Sequence, residues 1–383
     1  MRVALVSGYD WAVPGGVQGQ VAALAGALAG FGETVAVVTP QAAPGDGPRI
    51  DGVRLYRAGR GISIPVNGSV APVAPTPAAS LATVRALRDF SPDVVHVHEP
   101  LIPGPPLAAV LAGPRPIVGT FHRADSDPLY KTAGLVLGRL VSRRCAAFTG
   151  VSAAAIETAG AVLGRHLPGV VEVGNGVEVE RYERARAAQE ATVQGAAAPP
   201  PGLFKNGEAP VIAFVGRLEK RKGVSVLLSA MELLGPEVQL VIGGDGPESA
   251  SLRRRAAGDG RVLFLGRIDE AEKASLLAAA DLFVAPALGG ESFGVVILEA
   301  MAAGTAVISA NIPGYTLAAA GAARLFRAGD SADLARAIGE ILADHRARSE
   351  LVDKGRARAQ GCSIEKIAEA YLRIYRSVVA AES

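Results

Sequence analysis

The segment Val211-Ile212-Ala213-Phe214-Val215-Gly216 decides the predicted fold. Five apolar residues end at a glycine, which is the pattern of a buried parallel strand followed by a turn. Further short apolar runs follow it, separated by helix-like segments: Val238–Ile242, Val262–Leu265, Leu282–Ala285 and Ala306–Ser309. Helices Ser331–Asp344 and Ile364–Val379 are predicted to end the series. Strands that alternate with helices in this way predict a parallel sheet covered on both faces.

An equivalent series precedes this one. Its predicted strands are Val3–Val6, Thr34–Val38, Val94–Val97, Ile117–Phe121 and Ala147–Val151. Its predicted helices are Val17–Ala29, Leu81–Asp89, Pro105–Leu111, Tyr130–Val141 and Ala153–Val162. Residues 178–209, rich in Arg, Ala, Gln, Pro and Gly, predict a linker and a surface excursion between the two series. We therefore expect an α/β protein of two doubly wound domains that face a cleft, where ligands bind at the carboxyl ends of strands.

Composition excludes several classes of protein. The chain has 383 residues, of which 49% are hydrophobic and 20% charged, an ordinary globular mixture with enough apolar material for two cores. A net charge of +2 does not favour a nucleic-acid partner. Cys145 and Cys362 are too few for a disulfide framework and indicate a reduced cytoplasmic setting. The first apolar run predicts a strand rather than a signal peptide, and no apolar run is long enough to span a membrane.

The segment Gly289-Gly290-Glu291-Ser292-Phe293-Gly294 follows a predicted strand and opens a predicted helix. Its glycines let a ligand approach the backbone, and the free N–H groups of a helix start favour phosphate. Glu291 and Glu299 are candidates for accepting hydrogen bonds from sugar or ribose hydroxyls. The alternative is a helix cap with solvated glutamates.

A cation cluster, Arg217, Lys220, Arg221 and Lys222, follows the strand Val211–Val215 and precedes a helix. Arginine offers a bidentate fork and lysine a point charge, so the cluster suits a diphosphate leaving group. A solvated basic loop is the alternative.

Weaker signals lie in the first half. The turn Pro14-Gly15-Gly16 precedes a helix but lacks the full dinucleotide-binding glycine spacing, which argues against an NAD-dependent oxidoreductase. His96 and His98 share one face of a strand, and His122 ends the next, with no third metal ligand at a suggestive spacing. Asp125 and Asp127 form an Asp-x-Asp pair, a pattern that binds divalent cations in one type of glycosyltransferase and that also arises by chance.

Taken together, these residues resemble glycosyltransferase family 4, whose members are retaining enzymes of the GT-B fold, with two Rossmann-like domains facing a central cleft. The most specific match is the segment from Glu291 to Gly304, which contains the paired glutamates. The resemblance implies an acceptor-side domain of residues 1–174 plus about 365–383, because the C-terminal helix returns to it. It implies a nucleotide-sugar-binding domain of residues 175–364.

The resemblance also implies a role for each matching residue. His122 would lie beside the transferred sugar, and Glu291 would hold the sugar hydroxyls. Glu299 would accept the ribose hydroxyls. The diphosphate would bind to Gly15, Gly16, Arg217, Lys222 and the backbone of Ser292, Phe293, Gly294 and Val295. His122, Glu291, Arg217 and Lys222 would be catalytic, with no essential metal and no protein nucleophile.

Several stretches, among them His96–Pro100 and Leu288–Gly294, resemble a subgroup of the family, the actinobacterial phosphatidylinositol mannosyltransferases. That similarity implies GDP-mannose as donor, a phosphatidylinositol-type lipid headgroup as acceptor, and a cytoplasmic enzyme in peripheral contact with the inner face of the plasma membrane. Two segments depart from that pattern: residues 71–75 have no arginine, and Leu81–Asp89 has only Arg85 and Arg88 as cations. A UDP-sugar donor with a soluble acceptor therefore remains an alternative, as does a non-catalytic nucleotide-sugar-binding protein.

Overall fold

The computed structural model describes residues 1–13, 15–43, 47–66, 69–123, 128–164, 169–193 and 209–382. The chain divides into two compact units. The first unit comprises Met1–Gly176 together with Ile364–Ser383, and the second comprises Val177–Ser363.

The first unit contains, within its described residues, a parallel sheet of seven strands in the order β3-β2-β1-β6-β7-β8-β9. These strands are β1 (Arg2–Val6), β2 (Thr34–Thr39), β3 (Val53–Arg57), β6 (Val94–His98), β7 (Ile117–Phe121), β8 (Ala147–Gly150) and β9 (Val170–Glu172). A separate antiparallel hairpin joins β4 (Ile62–Val66) to β5 (Ser69–Val73). Strands β6 and β7 are buried throughout, and β1 is buried except at Arg2, as their continuous apolar sequences predict.

Helices flank this sheet: α1 (Gly16–Gly30), α2 (Pro77–Phe90), α3 (Pro105–Ala112), α4 (Pro128–Arg144), α5 (Ala153–Leu163) and α14 (Ile364–Glu382). The predicted return of the C-terminal helix to the first unit is confirmed, because α14 packs against α1. Tyr371 and Tyr375 of α14 are buried in one core cluster with Leu24 and Leu28 of α1. The first unit therefore completes its core with the end of the chain.

The second unit contains, among the residues described, a parallel sheet of six strands in the order β12-β11-β10-β13-β14-β15. The strands are β10 (Val211–Val215), β11 (Gln239–Gly243), β12 (Val262–Gly266), β13 (Leu282–Ala285), β14 (Ala306–Ala310) and β15 (Arg324–Phe326). The helices are α6 (Val179–Val193), α7 (Val224–Met231), α8 (Ser249–Arg255), α9 (Glu270–Ala279), α10 (Val295–Ala302), α11 (Pro313–Ala319), α12 (Ser331–Ala343) and α13 (His345–Gly361). A short 3-10 turn, Lys220–Lys222, lies between β10 and α7.

The prediction of a linker from residue 178 is wrong for its first half, because α6 occupies Val179–Val193. Alanine, arginine, glutamate and glutamine, which suggested a linker, are also strong helix formers. Tyr182 is only 1% exposed, so the helix is docked on a core rather than free in solvent. Arg186 and Glu190, one turn apart, form an ion pair 2.5 Å long on its surface. The rest of the predicted excursion, residues 194–208, lies outside the described residues.

Within the described residues, the helices are all too short or too polar to cross a membrane.

Candidate functional site

Three histidines of the first unit form a buried cluster at the carboxyl ends of β6 and β7. His98 Nδ1 lies 2.9 Å from His122 Nε2. His96 Nδ1 lies 2.7 Å from the Tyr375 hydroxyl, and its Nε2 lies 2.5 Å from Thr120 Oγ1. His98 Nε2 is buried without a hydrogen-bond partner among the described residues. The structure thus brings together the three histidines that the sequence singled out, and we call them the histidine cluster.

Burial keeps the histidine cluster neutral. It lowers the pKa of His122 to about 4 and, together with the nearby His122 ring, lowers that of His96 to about 3. Burial and the two neighbouring rings hold the pKa of His98 well below 6.5. In a neutral pair, one ring nitrogen donates and the other accepts, which the contact between His98 and His122 requires.

We therefore expect the ring resonances of His96, His98 and His122 to stay constant between about pH 8 and pH 5.5. Below about pH 6.5 the histidines of the unfolded chain become protonated, whereas the buried rings of the folded protein stay neutral. The free energy of unfolding should consequently fall as the pH drops from about 6.5 to 4, by about 1.4 kcal/mol per ring and pH unit. NMR titration, assigned with single His→Gln variants, measures the rings directly. A His122 titration midpoint near 6.5 would contradict the assignment.

Glu99, which the sequence analysis did not single out, holds the backbone next to His122. It is fully buried, and its backbone has a positive φ of 59°. Oε1 accepts the N–H groups of His122 at 2.6 Å and Arg123 at 3.0 Å. Oε2 accepts the Tyr130 hydroxyl at 2.5 Å. Burial raises the pKa of the Glu99 carboxyl, and these hydrogen bonds offset only part of that rise.

The glycine turn of the first unit lies at the start of α1. Gly15 is the helix N-cap, and a Cβ there would lie 2.5 Å from Gln18 Oε1. A Cβ on Gly16 would meet no atom of the described residues within 4 Å. Contacts among the described residues therefore do not require glycine at position 16.

The basic loop of the second unit, Gly216–Gly223, is organised around a buried acid. Glu219 is 4% exposed and bridges two arginines: its Oε1 lies 2.9 Å from Arg217 Nε, and its Oε2 lies 3.1 Å from Arg221 Nε. Gly223 ends the 3-10 turn at φ 69°, and a side chain there would collide with the Pro286 carbonyl oxygen. The loop is therefore a packed element, and the interpretation as a solvated basic loop is wrong.

Glu291 lies against this loop. Its Oε1 is 2.5 Å from Arg221 Nη1 and 2.7 Å from Lys222 Nζ. Arg221 also donates to the Gly290 carbonyl oxygen at 3.3 Å. The segments Gly216–Gly223 and Gly289–Gly294 thus form one site, in which two cations neutralise the carboxylate.

Glu299 has its own cation. Its Oε1 lies 2.8 Å from Lys273 Nζ, and Lys273 also contacts Glu270 Oε2 at 2.8 Å. Burial alone would lower the pKa of Lys273, but the carboxylates of Glu299 and Glu270 outweigh it and raise that pKa. Lys273 is therefore charged and orients Glu299. Of its two carboxylate partners, Glu299 is the one that the sequence predicts to contact a ligand.

Between these glutamates, the chain enters α10 with free backbone donors. The N–H groups of Ser292, Phe293, Gly294 and Val295 donate to no other described residue. Gly294 has a φ of 92°, and a Cβ there would lie 2.6 Å from the Tyr315 ring. Such a helix start favours an anion, as the sequence predicted.

Arg221 belongs to the predicted cation cluster, but the sequence assigned it no individual role. Four further residues of these networks were missed, and no sequence pattern marked them: Glu219, Lys273, Glu99 and Tyr130. The Asp125–Asp127 pair, considered as a metal site, lies outside the described residues. Among the described residues, no three or more His, Cys, Asp or Glu side chains are arranged so that they could hold one metal ion.

Comparisons with known proteins show the family of the chain. The profile described as Glycosyltransferase Family 4 matches residues 14–181, and the profile described as Glycosyl transferases group 1 matches residues 200–358. The chain is 33% identical to the phosphatidyl-myo-inositol mannosyltransferase of Mycolicibacterium smegmatis, over 99% of this chain and 94% of that protein. It is 34% identical to the protein of the same name from Propionibacterium freudenreichii, over 94% of this chain and 90% of that protein.

Solved structures share the fold. Anabaena HepE in complex with UDP and glucose superposes with a TM-score of 0.70 at 20% identity, covering 98% of this chain and 100% of that one. Sucrose-phosphate synthase from Thermosynechococcus elongatus gives a TM-score of 0.73 at 23% identity, covering 99% of each. These likenesses confirm the predicted GT-B fold, and the matches in sequence confirm the resemblance: the chain is a glycosyltransferase that belongs to family 4.

Proposed function

We propose that the protein transfers mannose from GDP-mannose to the inositol headgroup of phosphatidylinositol, with retention of configuration. The observation that carries the donor half is the packing of Glu291 against Arg221 and Lys222 beside the free N–H groups of residues 292–295. The names of the relatives, which are mannosyltransferases of phosphatidyl-myo-inositol, support mannose and this lipid acceptor.

The donor site follows from the charges of the second unit, residues 177–363. Arg217 and Lys222 would bind the diphosphate together with the helix start Ser292–Val295. Because negative charge grows on the leaving phosphate, fixed cations there stabilise the transition state. Glu291 would accept hydrogen bonds from the sugar hydroxyls, and Glu299, oriented by Lys273, from the ribose.

The acceptor side is assigned to the first unit, residues 1–176 with 364–383. His122 would lie beside the transferred sugar, and as a neutral ring it would offer a hydrogen bond rather than a charge. Gly15 and Gly16 would admit the diphosphate to the start of α1. The leaving phosphate would take the proton of the acceptor hydroxyl, so that no protein nucleophile and no metal ion is required. The enzyme would work on the cytoplasmic face of the membrane.

A panel of donors tests this proposal. Thermal shift with GDP-mannose, UDP-glucose, UDP-GlcNAc and UDP-glucuronate at equal concentrations identifies the donor, because a ligand stabilises the fold by RT ln(1 + [L]/Kd) and the tightest ligand therefore stabilises most. Transfer is then measured to phosphatidylinositol in detergent micelles and to soluble inositol, with and without EDTA. We expect GDP-mannose to stabilise most and transfer to the lipid to survive EDTA. Transfer from a UDP-sugar to the soluble acceptor only would support the alternative, which the arginine-poor residues 71–75 favour.

Glu99→Ala should lower kcat about tenfold to a hundredfold, because displacing a neighbour of the reacting centre by about 1 Å has such an effect. Three donors, two of them buried, would lose their acceptor, so the free energy of unfolding should also fall by about 3 kcal/mol. Glu99→Gln should restore most of both, since one amide oxygen can still accept the N–H groups of His122 and Arg123. We expect kcat to change more than KM for the donor, as a positioning role requires.

Asp89→Ala is the matched control for Glu99. Asp89 also accepts a tyrosine hydroxyl, that of Tyr56 at 2.5 Å, but on the surface of the same unit. Steady-state kinetics and denaturant unfolding measure all three variants. Equal kcat values for Glu99→Ala and Asp89→Ala would contradict the role of Glu99.

A further inference from the structure

Helix α4 exposes an unusual amount of apolar surface. Leu135 is 85% exposed, Val136 74% and Leu140 46%. A single exposed apolar residue is ordinary in a soluble protein, but adjacent ones on one helix face mark a binding surface.

The orientation of α4 is held by its opposite face. Gly134 and Gly138 pack against Val162 and Leu163 of α5, where a Cβ on Gly134 would collide with Val162. Close contact between the two helices therefore leaves no freedom to turn Leu135 and Val136 inward. Their exposure is a consequence of the packing.

Cations are interleaved with these apolar residues. Lys131, Arg139 and Arg143 are exposed. Lys131 lies four residues before Leu135, and Arg139 and Arg143 lie four and eight residues after it. At 100° per residue, all six side chains fall on one half of the helix. The segment Pro128–Arg144 contains no acidic residue. We call this half of α4 the α4 face.

We propose that the α4 face docks the enzyme on a bilayer containing anionic lipids. Leucine and valine would enter the boundary between headgroups and acyl chains, while the long cationic side chains reach the anionic headgroups. The choice of a bilayer rests on the lipid acceptor of the proposed function. This surface differs from α2, whose described exposed side chains include Leu81, Arg85 and Arg88 but also the acidic Asp89.

A second copy of the chain fits the α4 face less well. A two-fold contact would place the same surface of both copies together, and thus oppose three cations to three cations. With no acid on the helix, this contact would leave the charges uncompensated. Anionic headgroups supply the missing charge.

The α4 face is also tied to the histidine cluster within the first unit. Tyr130, in the first turn of α4, donates its hydroxyl to Glu99, which accepts the His122 N–H group. The helix proposed to lie on the lipid surface therefore begins at the network that holds the acceptor-side residue.

Vesicle co-sedimentation of the full chain tests the proposal, with phosphatidylcholine vesicles against vesicles containing phosphatidylglycerol. We expect binding to the anionic vesicles. Leu135→Gln/Val136→Gln should lower the partition coefficient at least about tenfold, since apolar burial is the main term. Lys131→Gln/Arg139→Gln/Arg143→Gln should lower it about fivefold per cation, and added salt should have a similar effect on the wild type.

The matched control is Leu81→Gln/Arg85→Gln on α2, which removes one exposed leucine and one cation from the same unit and should bind vesicles as the wild type does. The proposal is overturned if the wild type does not bind, if both α4 variants bind normally, or if the α2 variant loses as much. It is equally overturned if gel filtration shows a dimer that the α4 variants dissociate and no variant or wild type binds vesicles.

Transfer to phosphatidylinositol in detergent micelles separates this proposal from the proposed function. We expect the α4 variants to retain that activity. If the wild type transfers sugar to the lipid in micelles but does not bind vesicles, the docking surface alone is refuted. A wild type that binds vesicles but transfers no sugar to lipid refutes the proposed function alone.

Discussion

Glu291→Ala should reduce sugar transfer about 10²- to 10³-fold and leave nucleotide binding intact or tighter. The carboxylate is assigned to the sugar hydroxyls, so its loss removes contacts to the reacting group. In the protein without ligand, the same carboxylate neutralises Arg221 and Lys222. Removing it frees both cations for the diphosphate, so affinity for GDP should not fall.

Initial rates with saturating donor and calorimetry with GDP measure these two effects separately. Glu270→Ala is the matched control, because Glu270 also pairs with one lysine and one arginine, Lys273 and Arg181, but is largely exposed. It should lower transfer little. Near-normal transfer by Glu291→Ala would refute the role of Glu291, and a loss of GDP binding would show that the carboxylate supports the nucleotide instead.

Lys222→Ala should raise the dissociation constant for both GDP and GDP-mannose about tenfold to a hundredfold. A hydrogen bond between charged groups contributes about 1.5–3 kcal/mol, and each 1.4 kcal/mol changes affinity tenfold. The effect should be the same for nucleotide and nucleotide-sugar, because the expected partner is a phosphate common to both.

Calorimetry with Lys220→Ala beside Lys222→Ala supplies the comparison. Lys220 lies two residues earlier, in the same 3-10 turn, but is exposed. The two variants lose the same charge from the same loop, so a general electrostatic effect would lower affinity equally in both. An unchanged dissociation constant for Lys222→Ala would refute the direct contact.

The buried parallel strands could be predicted because both of their faces are apolar, as in β1 and β10. β3 and β9 were missed for the opposite reason. They lie at the edges of the sheet and are largely exposed, so Val53–Arg57 and Val170–Glu172 show no continuous apolar run. Helix α6 was mistaken for a linker because helix propensity and linker composition overlap, and only its contact with the core decides between them.

The site could be predicted where one local segment carries the chemistry, as at Gly289–Gly294. The residues that contact its glutamates could not be predicted. Arg221 and Glu291 are 70 residues apart, and Lys273 and Glu299 are 26 apart. Their contacts depend on which strands become neighbours in the sheet. Glu99 was missed because its function depends on burial and on three donors that converge on it, none of which a sequence pattern displays.

The return of α14 to the first unit affects the order in which the protein can fold during synthesis. The Tyr375 hydroxyl contacts His96, and Tyr371 and Tyr375 are both buried in the core cluster that α14 shares with α1. The ribosome makes residues 364–382 only after the whole second unit, Val177–Ser363. The second unit can therefore fold while the first still lacks one helix, although domains usually fold from the N-terminus onward. The contact of Tyr375 with His96 therefore forms last, so a nascent chain would possess its donor side before its acceptor side.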